Sequence, residues 1–241
     1  MTEINIIIPT YNEEENILRL LKTINKKLPN SKITIVDDSK NNNIKLILKK
    51  EKLNNKVKYI HRKNLRGRGS AVLFGFKKNL KKNIDQIFVE MDSDFSHNPS
   101  ELKKNIKIFN NKKIDLLIAS RYLRKSKILY WSLSRRIFSQ LSNILARIIL
   151  RIDVTDYTNG FRIYSKEATK LIVKKCGKIG DGFIVLSEIL LILDINEFKI
   201  EEVSSTFVNR VRGESSVNCK LIIQSFIGLF KLHFIKKNYR N

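Results

Sequence analysis

The chain has 241 residues, two cysteines and three histidines. It is long enough for one large domain, it lacks a disulfide framework and a His-rich metal site, and any metal falls to carboxylates and a hard cation such as Mg²⁺ or Mn²⁺. Hydrophobic residues at 42% and charged residues at 29% supply a core and exclude a disordered chain. The net charge of +24 is shared evenly by the two halves, which excludes a basic tail and leaves either a solvated cationic surface or an anionic partner, nucleic acid or membrane.

Met1–Asn5 leads directly into an apolar run ending at Pro9, so no signal peptide is expected. Strand-length apolar runs at Ile4–Ile8, Ile33–Val36, Val57–Ile60, Ile87–Met91 and Leu116–Ala119 alternate with amphipathic stretches such as Glu13–Lys27 and Gly69–Leu80. That alternation predicts βαβ units, an α/β fold with a parallel sheet covered on both faces. Beyond Arg121 the rhythm lengthens into a helix over Trp131–Ile152, a strand over Ile200–Val208 and a last helix over Val217–Ile235. The apolar stretches Phe183–Ile195 and Leu221–Ile235 are too short or too interrupted to span about 30 Å of hydrocarbon. With no internal repeat and no Pro/Gly linker, residues 1–241 are expected to form a single domain.

Residues 121–151 carry eight basic side chains and no acid. Leu133, Ile137, Leu141, Ile144, Leu145, Ile148 and Ile152 recur at helical spacing behind Trp131, the pattern of a basic amphipathic helix able to lie among lipid headgroups. The same stripe also suits packing on the sheet. The candidate membrane-interface helices are therefore 121–152 and 217–235.

Three polar clusters follow strands at once: Pro9-Thr10-Tyr11-Asn12-Glu13, Asp37-Asp38 and Asp92-Ser93-Asp94. Parallel strands place all three on one rim, where open α/β sheets bind ligands. Each cluster alone also suits a strand stop or a helix cap. Asp92-x-Asp94 has the sharpest chemistry, because two carboxylates leaving a strand can converge on one divalent ion that bridges phosphate oxygens. An aspartyl-phosphate phosphatase also uses such a pair, although usually on the first strand. The basic, glycine-bearing segment His61–Gly69, ahead of a helix, suits a diphosphate or nucleotide.

These clusters, with Arg66-Gly67-Arg68-Gly69-Ser70-Ala71, Asp92-Ser93-Asp94-Phe95-Ser96-His97-Asn98-Pro99, Ser120-Arg121, Asp156-Tyr157-Thr158-Asn159-Gly160-Phe161-Arg162 and Arg210-Val211-Arg212-Gly213-Glu214-Ser215, resemble glycosyltransferase family 2, within it the dolichyl-phosphate mannose synthase group. The resemblance implies a GT-A fold with a mostly parallel sheet, a nucleotide-sugar donor with GDP-mannose foremost, Mg²⁺ or Mn²⁺, and a polyprenyl phosphate acceptor. By the same resemblance Pro9, Tyr11, Glu13, Asp37, Asp38, Arg66 and Gly67 line the nucleotide-sugar pocket. Asp92, Asp94 and Ser96 lie at the metal, Ser96 standing where the family often has Gln. Arg210 faces the donor diphosphate, and Arg121, Arg135 and Ser139 receive the acceptor phosphate, so that Asp92, Asp94, Arg121 and Arg210 form the catalytic set. The chain departs from the family at Ser39-Lys40-Asn41-Asn42-Asn43, which lacks the usual second-loop acid, and at Ser216, where a Lys is common.

The expected reaction is inverting transfer of a hexose, mannose foremost, to a polyprenyl phosphate at the cytoplasmic membrane face by a peripheral enzyme, with room for a separate membrane-anchor subunit. Two other functions suit parts of the pattern. A family 2 enzyme acting on a glycan hydroxyl needs an added general base, and a nucleic-acid-binding protein needs a recognisable module that this chain lacks, so no nucleic-acid partner is expected.

Overall fold

The computed structural model describes residues 2–53, 55–63, 65, 67–209 and 219–236. In chain order the elements are β1 (Glu3–Thr10), α1 (Glu14–Lys27), β2 (Lys32–Asp37), α2 (Asn43–Lys50), β3 (Val57–His61), α3 (Arg68–Asn79), β4 (Gln86–Glu90), a 3₁₀ turn at Pro99–Glu101, α4 (Leu102–Lys112), β5 (Leu116–Ser120), β6 (Lys127–Leu129), α5 (Leu133–Leu150), β7 (Arg162–Ser165), α6 (Lys166–Lys175), α7 (Ile184–Ile195), β8 (Ile200–Ser204), β9 (Thr206–Val208) and α8 (Cys219–Ile235).

Seven strands form one sheet in the order β3-β2-β1-β4-β7-β5-β8. The apolar runs are continuous because both faces of their strands are covered. Ile6 and Ile8 of β1 enter a core with Ile17 and Leu20 of α1, Ile44 of α2 and Ile106 of α4. Ile7 points the other way, into a core with Phe76 of α3, Ile172 of α6 and Ile189 of α7. α7 is buried around its whole circumference from Ile184 to Leu193, which explains an apolar run with no polar face.

The sheet is mostly parallel, as the resemblance implies, with β7 running antiparallel to both β4 and β5. One expectation is corrected. The strand expected over Ile200–Val208 is two strands, for Ser205 breaks it. β8 stays in the main sheet beside β5, while β9 pairs with β6 in a separate ribbon. Of the last helix, Val217 lies outside the described residues and the described part begins at Cys219. No helix among the described residues is long and apolar enough to cross a membrane.

Candidate active site

Strands β1, β2, β3 and β4 run parallel, with Thr10 beside Asp37 and Asp37 beside His61. Their carboxyl ends therefore share one rim, and the three polar clusters meet there. Pro9 and Tyr11 are half-buried along it. Glu13 opens α1, its carbonyl accepting the Ile17 N–H and its carboxylate the Asn16 amide at 2.8 Å.

Asp37 and Asp38 carry different loads. Asp37 is fully buried and accepts hydrogen bonds from the Thr10 hydroxyl, the Ser39 N–H and hydroxyl, and the Tyr59 hydroxyl, so its oxygens hold the rim together. Asp38 forms a bidentate ion pair with Arg62 at 2.7 and 2.6 Å and accepts the Gly67 N–H at 3.2 Å. Gly67 has φ +141°, and a Cβ there would lie 2.5 Å from the Asp181 Cβ, which accounts for glycine at the entry to α3. Arg66 lies outside the described residues. Arg62, part of the basic His61–Gly69 segment but given no role of its own there, is buried between Asp38 and the Ser70 hydroxyl.

The Asp92–His97 loop leaves β4 beside this rim. Phe95 takes a left-handed φ of 62°, a conformation uncommon for a bulky residue, and places Asp94 and Ser96 on either side of it. Asp94 is 5% exposed and accepts the Ser96 N–H at 3.0 Å. Asp92 is ion-paired with Arg68. Its backbone N–H donates to His97 Nδ1, so the imidazole proton sits on Nε2, where Asn159 Oδ1 accepts it at 2.9 Å. The His97 ring stacks on Phe161 with centroids 5.3 Å apart, locking this loop to the Asp156–Arg162 segment.

Among the described residues the buried Ser96 hydroxyl meets no hydrogen-bond partner. A buried donor–acceptor of that kind is costly unless a further group meets it. With Asp92 and Asp94 it makes a set of hard oxygen donors suited to Mg²⁺ or Mn²⁺. Among the described residues no three His, Cys, Asp or Glu side chains gather as metal ligands, so the fit depends on this hydroxyl and on oxygens brought by a ligand.

Across the cleft, Arg121 is buried and paired bidentately with Asp156 at 2.8 and 2.7 Å, and donates to the Thr158 hydroxyl. Burial alone would raise the Asp156 pKa, but the charge and hydrogen bonds of Arg121 outweigh it and hold the carboxyl below its ordinary value. Burial likewise opposes the charge on Arg121, and Asp156, with smaller effects from Tyr122 and Asp92, outweighs it and raises the pKa. The Phe207 ring, 5.7 Å from the His97 ring and 5.4 Å from the Arg121 guanidinium, sets Arg121 beside the Asp92–His97 loop. Arg162 is fully buried and donates to the carbonyls of Asn159, Leu186 and Tyr157, a bracing position. Arg135 donates to Asn209 Oδ1 at 2.8 Å, and its guanidinium lies 4.4 Å from the centre of the Trp131 ring, which Arg121 approaches at 5.5 Å. Ser139 accepts the Tyr122 hydroxyl at 2.6 Å. The Trp131 indole N–H is buried and has no hydrogen-bond partner among the described residues, which no sequence pattern announced. Arg210, with the Arg210–Ser215 motif, lies outside the described residues.

Next to this cluster most of the apolar stripe of α5 faces outward, while Leu145 packs against the core and Ile152 is buried in it. Leu133, Leu141, Ile144 and Ile148 are each more than half exposed, and on α8 so are Ile227, Phe230 and Phe234. Phe138 meets Phe226 edge-on, joining the two helices into one apolar surface.

The family model for glycosyl transferase family 2 matches residues 5–172. A dolichol-phosphate mannosyltransferase of Pyrococcus furiosus is 34% identical over 95% of this chain, which spans 63% of that relative's length. An undecaprenyl-phosphate mannosyltransferase of Micrococcus luteus is 30% identical over 92% of this chain and 90% of its own. Among solved structures, glucosyl-3-phosphoglycerate synthase from Mycobacterium tuberculosis bound to UDP superposes with a TM-score of 0.67 at 15% identity, covering 97% of this chain and 80% of that one. Its complex with Mn²⁺, UDP and glucosyl-3-phosphoglycerate gives 0.65 at 14% identity, covering 98% and 80%. That likeness is one of fold, the GT-A arrangement of a mostly parallel sheet between helices. With the match over residues 5–172 and the ordered motifs on one rim, the chain belongs to glycosyl transferase family 2.

Proposed function

We propose that the chain is a divalent-cation-dependent, inverting glycosyltransferase that moves a hexose from a nucleotide-sugar donor to a polyprenyl phosphate, working as a single unit peripherally on the cytoplasmic face of a membrane. The observation that carries the reading is the meeting of the Asp92–His97 loop with the Arg121–Trp131–Arg135 stack at one ring, for Phe207 packs against His97, Trp131 and Arg121, beside a helix with exposed apolar residues. The names of the relatives, which specify mannose and polyprenyl phosphates, make GDP-mannose the first donor to try.

The reacting bonds balance without a protein base. A phosphomonoester has its second pKa near about 6, so the acceptor oxygen is already ionised at neutral pH. It attacks the anomeric carbon, the bond from that carbon to the donor phosphate breaks, and its electrons leave with the nucleoside diphosphate. Asp92, Asp94 and Ser96 would hold the cation, which supplies charge neutralisation to the diphosphate. Pro9, Tyr11, Glu13, Asp38 and the Arg62-braced Gly67 turn shape the donor pocket, and Arg66 and Arg210 are expected at its phosphates. Arg121 is fixed by Asp156 and acts as a preorganised dipole on the acceptor phosphate, while Arg135, its neighbour across Trp131, and Ser139 complete that side.

The test is an assay of purified protein with Mn²⁺ or Mg²⁺, a nucleotide-sugar panel and a short polyprenyl phosphate, followed by extraction of the lipid. Lipid-linked hexose is expected with at least one donor, and its absence with all of them overturns the reading. Asp92→Asn and Asp94→Asn are each expected to lower turnover by at least about 10²-fold with unchanged circular dichroism.

A further inference from the structure

Arg68 opens α3 yet turns its side chain into the cleft. Its Nε and one terminal nitrogen lie 2.8 and 2.7 Å from the same oxygen of Asp92, and its other terminal nitrogen bonds Glu90. Glu90 is 1% exposed and takes the Tyr164 hydroxyl on its second oxygen at 2.7 Å. The guanidinium also donates to the Gly160 carbonyl and lies 5.8 Å from the Phe183 ring centre. A Cβ on residue 160 would fall 1.8 Å from an Arg68 nitrogen, so the glycine leaves room for this side chain. Burial disfavours the charge, but Asp92 and Glu90 outweigh it and raise the Arg68 pKa.

A guanidinium held by two acids, a carbonyl and an aromatic face is a fixed positive charge in the place where a carboxylate would otherwise wait for a metal ion. We propose that Arg68 is a positioning residue that acts as a resident counter-cation, sharing Asp92 with the divalent ion and weakening that ion's hold until a diphosphate arrives. The inference rests on the cation site of the proposed function. The charges give the reason. Arg68 keeps the Asp92 side chain ordered without an ion, but it occupies one Asp92 oxygen and repels a second cation. A nucleoside diphosphate adds negative charge and ligand oxygens, which restore the balance in favour of the ion. Metal and donor then enter as a pair.

The test is a Mn²⁺ titration of the full chain followed by electron paramagnetic resonance, with and without GDP or UDP. Wild type is expected to bind Mn²⁺ weakly alone and more tightly with the diphosphate. Arg68→Met combined with Glu90→Gln removes the guanidinium without stranding a buried charge. It is expected to bind Mn²⁺ alone about tenfold tighter, with a smaller gain on adding diphosphate. Arg68→Lys keeps a charge but cannot span both acids, and is expected to shift affinity in the same direction, guarding against a misfolded double variant. Unchanged or weaker Mn²⁺ binding in folded variants overturns the role of Arg68. Absence of Mn²⁺ binding to wild type even with diphosphate overturns the cation site itself, and the role of Arg68 with it.

Discussion

Asp156 shows how much of this cleft is held by buried charge. It is fully buried and accepts hydrogen bonds from the Arg121 backbone and guanidinium and from the Thr158 and Asn159 N–H groups. Asp156→Asn strands the Arg121 charge and is expected to cost about 3–5 kcal/mol in urea unfolding. The sign with pH follows from the lowered carboxyl pKa. The unfolded value is about 3.9, so the stabilisation is fully present above about pH 5 and is lost as pH falls through the folded value. Wild-type stability should therefore show an acid limb that Asp156→Asn flattens; equal limbs would remove the pair from the account. The acidic loops were legible in sequence because each follows an apolar strand, and Arg121 was legible through the resemblance that Ser120-Arg121 helps to carry. The bracing roles of Arg62 and His97 were not, since their partners Asp38 and Asn159 lie 24 and 62 residues away.

Helix α5 packs one side on the core and turns most of its apolar stripe outward. Its buried residues are Asn143, Ala146 and Leu150, while Leu141 and Ile148 are 59% and 65% exposed. Periodicity identified the stripe and could not say which way it faces, because sheet and lipid present the same apolar chemistry to it. Leu141→Ser and Ile148→Ser are expected to change unfolding free energy by less than about 0.5 kcal/mol and to weaken sedimentation with lipid vesicles. Leu150→Ala, in contrast, is expected to cost about 2–5 kcal/mol. Vesicle binding unaffected by the two serine variants would refute α5 as the lipid-facing element. Strand β7 was illegible for a related reason: Arg162–Ser165 has four residues and begins with a buried arginine, and becomes a strand only by pairing with β4 and β5 on both sides.

The net charge of +24 would add a long-range attraction to the proposed apolar contact of α5 with a membrane. Raising ionic strength from 0.01 to 0.15 M shortens the screening length from about 30 to about 8 Å. Binding to vesicles containing anionic lipid should therefore weaken over that range, while binding to zwitterionic vesicles should change little. Salt-independent binding to both would assign no membrane role to the charge. The order of strands and helices through residue 120, the polar clusters at strand ends and the acid-free basic stretch 121–151 were all readable along the chain, since each depends on the residues next to it. The insertion of β7, the parting of β8 from β9, the engagement of Asp92 by Arg68 and the outward face of α5 depend on groups distant in sequence. Pairing, burial and charge compensation are properties of the folded assembly, and those features appear only when it closes.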